Sequence, residues 1–145
     1  MLSKKTIYAI KALAALTKQY SSKTLVPVSE IAESERIPRK FLETILSELR
    51  NNGFLHSKKG MNGGYYLSIH PEKIMLSNII RITGGPIAML PCVSLHYYES
   101  CDECANEAAC SLRDIMTEVR DSSLRILSNT SIADLVERES KLIQD

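Results

Sequence analysis

The stretch "PVSEIAESERIPRKFLETILSELRNNG", residues 27–53, runs straight into "FLHSKKGMNGGYYLSI", residues 54–69, and together they constrain the fold more than any other part of the chain. Ser29 is a candidate N-cap for a short helix reaching Ser34. Pro38 suits the first turn of a second helix, and Gly53 suits its C-terminal stop. On that second helix Phe41, Leu42, Ile45, Leu46 and Leu49 form an apolar stripe, with Arg39, Lys40, Glu43, Thr44, Ser47 and Asn51 on the opposite side. Two short helices joined by a tight turn, the second offering a polar and basic face, make a helix-turn-helix pattern. The period then changes. Leu67 and Ile69 alternate with polar residues around "GMNGG", whose residues tolerate positive φ, so the spacing predicts a two-stranded hairpin. Its arm and tip hold Lys58, Lys59 and Asn62, and a hairpin directly after a helix-turn-helix is a wing.

The flanking segments extend this plan. Ile7, Ile10, Leu13, Ala14 and Leu16 recur at helical spacing, which predicts an amphipathic first helix between Leu2 and Tyr20. After the wing, Ser77 is a candidate cap for a short helix ending at Thr83 before "GGP". Leu112, Ile115, Met116, Val119, Ser123 and Ile126 then mark a long helix near residues 107–128, roughly 30 Å in length. Thr130 or Ser131 caps a last helix, with Ile132, Leu135 and Val136 on one side. The expected fold is mainly α with a small β-hairpin wing: a winged helix-turn-helix plus a long dimerisation helix. The expected divisions are a DNA-binding head over 1–83, a cysteine-rich loop over 84–111, and the dimerisation and C-terminal helices over 112–145. A seam so long has little to pack against in one small chain, so the helix is expected to pair with a second copy.

Charge sharpens the reading of the head. Residues 1–70 carry eleven Lys/Arg against five Asp/Glu, whereas residues 71–145 carry seven against twelve. A basic first half facing a polyanion fits this division. The expected DNA contacts are Arg39, Lys40, Thr44 and Ser47 on the second helix of the pair, with Lys58, Lys59 and Asn62 in the wing. Thr44 and Ser47 are placed to reach base edges, and the lysines to meet phosphates. Two copies of such a head suit a palindromic operator in double-stranded DNA.

All four cysteines, Cys92, Cys101, Cys104 and Cys110, fall within nineteen residues and are spaced C-x8-C-x2-C-x5-C. Thiolates are soft ligands that select zinc, copper(I) or iron-sulfur clusters. A structural zinc site usually shows two closely spaced ligand pairs, and the gaps of eight and five residues fit that less well. Oxidation to a regulatory disulfide is a further reading, and unused thiols another.

Other classes find little support. His56, His70 and His96 lie in unrelated segments, and no nucleophile elbow, P-loop or metalloprotease helix is present, so the chain is not expected to be an enzyme. No run nears the ~18 apolar residues of a membrane span, and the first ten residues have no long apolar leader segment, so the expectation is a cytoplasmic protein that does not enter membranes. In that compartment disulfides are uncommon.

Five motifs together resemble the Rrf2 family of winged-helix regulators: "YAIKALAAL", "VSEIAESERIPRKFLETILSELRNNGFL", "SKKGMNGGYYLS", "ITGGP" and "TSIADLVE". The resemblance spans nearly the whole chain. It implies a homodimer joined by the long helix, with a reading head at each end. The family's cluster-binding members hold an iron-sulfur cluster, often 2Fe-2S, in the loop before that helix and regulate transcription by its state. Cys92, Cys104 and Cys110 fall where the family's three cysteines would. Where IscR-like members have a histidine ligand this chain has Arg113, and where NsrR-like members have an acidic one it has Tyr8. Cys101 is thus the expected fourth ligand, giving a metal set of Cys92, Cys101, Cys104 and Cys110, with 2Fe-2S favoured over 4Fe-4S and zinc as the alternative.

Overall fold

The computed structural model describes residues 2–145, which form six α-helices and one antiparallel hairpin. Helix α1 (Lys4–Lys18) begins at Ser3, whose hydroxyl accepts the Thr6 N–H, and buries Thr6, Ala9, Ala12, Leu13 and Leu16. Ile7, a member of the expected stripe, is instead 43% exposed. Ala9 and Ala12 are fully buried in the core beside Leu13, so the helix turns its small-residue side inward.

Helix α2 (Val28–Glu35) starts one residue before the expected cap: the Pro27 carbonyl accepts the Glu30 and Ile31 N–H groups, and Ser29 lies inside the first turn. It ends on Arg36 in the left-handed region (φ 54°), after which the Ile37 N–H bonds back to Ala32 O and Ile37 is buried. That turn fixes the entry of α3 (Arg39–Asn51), which buries Leu42, Ile45, Leu46 and Leu49. Each fully buried Leu or Ile of this set contributes about 1.5–3 kcal/mol of apolar transfer. Phe41 lies at the border of the stripe, half exposed, with its ring edge-on to Tyr8 at 5.6 Å.

Strands β1 (Leu55–Lys58) and β2 (Gly64–Leu67) pair Leu55 with Leu67 and Lys58 with Gly64. Val26 adds a further rung, exchanging both backbone hydrogen bonds with Tyr65 at 2.9 Å. The wing glycines serve two needs. Gly60 takes a positive φ of 114°, but a Cβ on Gly63 or Gly64 would collide with the Lys58 or Val26 carbonyl, so the last two are required by close backbone approach.

Helix α4 (Leu76–Gly84) is preceded by Met75 as N-cap, and Ser77, the expected cap, is buried in its first turn. Helix α5 (Ser111–Ser128) follows the cysteine segment and buries no residue. Helix α6 (Ile132–Gln144) starts at Ser131, one of the two expected caps, in a capping box with Asp134. The Asp134 carboxyl is held below its ordinary range by the Ser131 backbone N–H and hydroxyl. Bonds from Leu76 N to Thr130 O (3.0 Å) and from Ile132 N to Ile74 O (2.9 Å) bring α6 back onto the head, where Ile132 joins the core. Among the described residues no helix is long and apolar enough to cross a membrane.

Candidate nucleic-acid interface and cysteine cavity

The polar residues of the head form two surfaces. A groove of about 410 Å³ runs between the wing and helices α2 and α3, lined among others by Ser29, Arg39, Arg50, Ser57, Lys58 and Lys59. The outer face of α3 forms a separate shallow surface containing Glu43, Thr44, Ser47 and Asn51. The fold therefore gathers Arg39, Lys58 and Lys59 into one basic channel and puts Thr44 and Ser47 beside it. Lys40 is exposed on α3, with its carbonyl accepting the Thr44 hydroxyl at 3.3 Å. Asn62 is exposed at the wing tip, outside the groove lining.

Arg50 is the member that pattern reading missed. Its guanidinium donates to Ser57 Oγ at 3.2 Å and Ser47 Oγ at 3.3 Å, tying the second reading-head helix to the first wing strand. Its i+3 spacing from Ser47 was visible in the sequence, but its partner Ser57 is met only once the hairpin folds back. Two carboxylates temper the basic face: Glu43 accepts from Arg39 Nε at 3.1 Å, and Glu48 pairs with Lys5 at 2.6 Å.

The second site is a cavity of about 230 Å³ at the start of α5, and all four cysteines line it. Cys92 is buried on the short turn Pro91–Val93, Cys101 is exposed, and Cys104 and Cys110 are half-buried. None is in a disulfide. Arg120 Nη1 donates to Val93 O at 2.7 Å and so pins the Cys92 turn against α5. Cys110 is the N-cap of α5, where its sulfur accepts the Arg113 N–H at 3.4 Å. That backbone hydrogen bond is the main reason its thiol is shifted below the ordinary range, and the neighbouring Cys104 thiol adds to the shift. Burial, and then the neighbouring Cys110 thiol, push the Cys104 thiol up. The donor set of four soft thiols, one of them shifted toward easier ionisation, fits an iron-sulfur group. Among the described residues no three His, Cys, Asp or Glu side chains gather around one point as a single metal ion requires.

Arg113 and Glu107 also line the cavity. Glu107 accepts the Tyr98 hydroxyl on both oxygens, at 3.0 and 2.8 Å, and the Cys101 N–H at 3.2 Å. The Tyr98 hydrogen bond, then the Cys101 amide, hold its carboxyl below the ordinary range, and the same contact raises the Tyr98 phenol. Tyr8 lies away from this cavity's lining and packs against Phe41.

A head in which a helix-turn-helix is followed by a glycine-tipped wing defines a winged-helix protein. The family model of the iron-dependent transcriptional regulator Rrf2 matches residues 2–138, and the chain belongs to that family. It is 37% identical over 150 residues to an rrf2-like HTH-type transcriptional regulator of Rhodobacter capsulatus, covering 100% of both. It is 29% identical to the regulator NsrR of Geobacillus kaustophilus, over 79% of this chain and 76% of that one. Among solved structures it superposes on CymR, the global cysteine regulator of B. subtilis, with a TM-score of 0.78 at 27% identity, covering 95% of this chain and 97% of that one. The protein is a transcriptional regulator and not an enzyme.

Proposed function

We propose that this regulator is a cytoplasmic homodimer that binds a palindromic operator and senses redox, nitric oxide or iron-sulfur status through a cluster held by Cys92, Cys101, Cys104 and Cys110. The carrying observation is that four thiols on separate parts of a long loop line one cavity at the first turn of α5. A 2Fe-2S cluster bound there would supply redox chemistry and reactivity toward oxygen or nitric oxide. The chain's own residues do the rest. Cys110 joins the ligand set directly to the helix, and Arg120 joins the Cys92 turn to the same helix about three turns further on.

The outer face of α5 supports pairing with a second copy: Leu112, Ile115, Val119 and Ile126 are all exposed, Ile126 by 60%. A dimer built on α5 makes the helix the element that sets the spacing of two heads, each comprising residues 1–83 in this reading. Loop order then shifts the population of head spacings, and DNA selects among them. Arg39, Lys58 and Lys59 follow the phosphate backbone along the groove; Lys40 and Asn62 meet the strand at its edges, and Thr44 and Ser47 face base edges. NsrR, whose sequence this chain resembles, supports the sensor reading.

A second reading rests on Cys104 and Cys110, two free thiols that line one cavity. Without a cluster, that pair forms a direct thiol redox sensor. The test is anaerobic purification with ultraviolet-visible spectroscopy and iron, sulfide and zinc analysis, repeated on Cys101→Ser. Iron with sulfide that falls in the variant is the expected result. Zinc alone makes the loop a structural site, and no metal after reconstitution leaves the thiol sensor.

A further inference from the structure

We infer that Glu107 is a positioning residue, a carboxylate latch that folds the Cys101–Cys104 segment onto the start of α5 and thereby brings the exposed Cys101 into the cavity. The inference rests on the cysteine cluster reading for its metal arm only.

Residues 94–106 contain no helix or strand, and most of their side chains are exposed. The segment is tethered by few bonds, among them Tyr97 N to Ser94 Oγ at 3.0 Å and Glu99 N to Pro91 O at 3.4 Å, both near its beginning. Its far half holds Cys101 and Cys104, and there Glu107 makes the long-reaching contacts. One carboxylate receives the Tyr98 hydroxyl and the Cys101 amide, closing two loops at once. Glu107 also begins the short turn Glu107–Ala109 that leads into Cys110, so the latch binds Cys101 to the backbone that carries the next cysteine. A charged acceptor makes these stronger than neutral hydrogen bonds.

The chemistry also says what Glu107 is not. Both oxygens are occupied by Tyr98, one also by Cys101, and Arg113 Nε lies 3.9 Å from Oε2. That Arg113 nitrogen is shielded from solvent and has no hydrogen-bond partner among the described residues, so the carboxylate compensates its charge through space. A carboxylate so engaged acts on the site through Cys101 rather than as a ligand.

The experiment uses the full chain in two forms. In the metal-free, reduced protein, amide exchange at Cys101 is followed by NMR in wild type, Glu107→Ala and Glu107→Gln, with thermal melts verifying the fold. Exchange should quicken about ten- to hundred-fold in Glu107→Ala, and Glu107→Gln should recover much of the protection because its carbonyl oxygen still accepts. In protein loaded anaerobically with ferrous iron and sulfide, loss of visible absorbance to a chelator is timed. Glu107→Ala should release iron about ten-fold faster than wild type, and should add nothing further in a Cys101→Ser background, because the two act on one contact. Unchanged exchange in Glu107→Ala overturns the latch, and so do fully additive effects of the two substitutions. Wild type that takes up neither iron nor sulfide overturns the cluster reading alone, and the exchange measurement still decides the latch.

Discussion

Helix α3 buries four large aliphatic side chains in thirteen residues, while α5 buries none in eighteen. The head is held by packing: Leu13, Leu42, Ile45, Leu46, Leu49 and Ile79 have no exposed surface. The cysteine segment and α5 are held mainly by directional contacts, from Arg120 to Val93, from Glu107 to Tyr98 and Cys101, and from Cys110 to Arg113. Packing is costly to perturb and leaves one arrangement. Hydrogen bonds at a wet surface are worth much less net, so the second region can be biased by a ligand or a second copy while the first stays intact. In the proposed dimer, that division would leave the reading surface constant and its placement adjustable.

The largest expected effect lies on the packed side. Leu46→Ala should cost about 2–5 kcal/mol in chemical denaturation, whereas Leu112→Ala on the outer face of α5 should leave the monomer's stability nearly unchanged and weaken self-association measured by sedimentation. Equal destabilisation by the two would break the comparison. Next, replacing Lys58 and Lys59 together by Ala should make the dependence of DNA affinity on salt shallower by about two in log–log slope, with no change in unfolding. An unaltered slope would remove these lysines from the phosphate contacts.

Smaller effects sharpen the boundary between the regions. Ser131→Ala removes the cap of α6 and should cost about 1 kcal/mol; its signature is loss of the α6 amides before the rest of the head. The smallest effect is acid-dependent. The Asp134 carboxyl titrates below its ordinary range in the folded chain, so its contribution is complete above the unfolded value of about 3.9 and is lost as pH falls through the folded value. An acid titration should therefore loosen α6 at pH below about 4 in wild type, and an Asp134→Asn variant should lack that step.

Much of the head was legible in the sequence because its signals are local. The stripe Leu42, Ile45, Leu46 and Leu49 and the Gly53 stop (φ 84°) read directly as α3. Caps were less legible: Pro27 and Met75 begin their helices with no side-chain cap, although Ser29 and Ser77 stood nearby with suitable hydroxyls. Their helices are initiated by backbone geometry and packing, which no single residue type signals. At the cysteine cavity the spacing identified the four thiols, but nothing in the sequence marked Glu107 or Tyr98 as part of the site.

By itself the sequence determined the succession of helices and hairpin, the basic character of the first half and the clustering of thiols before a long helix, since each follows from periodicity, turn chemistry or composition over a few neighbouring residues. Only the tertiary structure decided that α1 packs on its alanines and turns Ile7 outward, that Arg50 spans from α3 to the wing, that α6 returns to the head through Ile74, and that Glu107 reaches back to Cys101. These depend on which surfaces meet after the chain folds, and a side chain's partner in space leaves no imprint on its immediate neighbours in sequence.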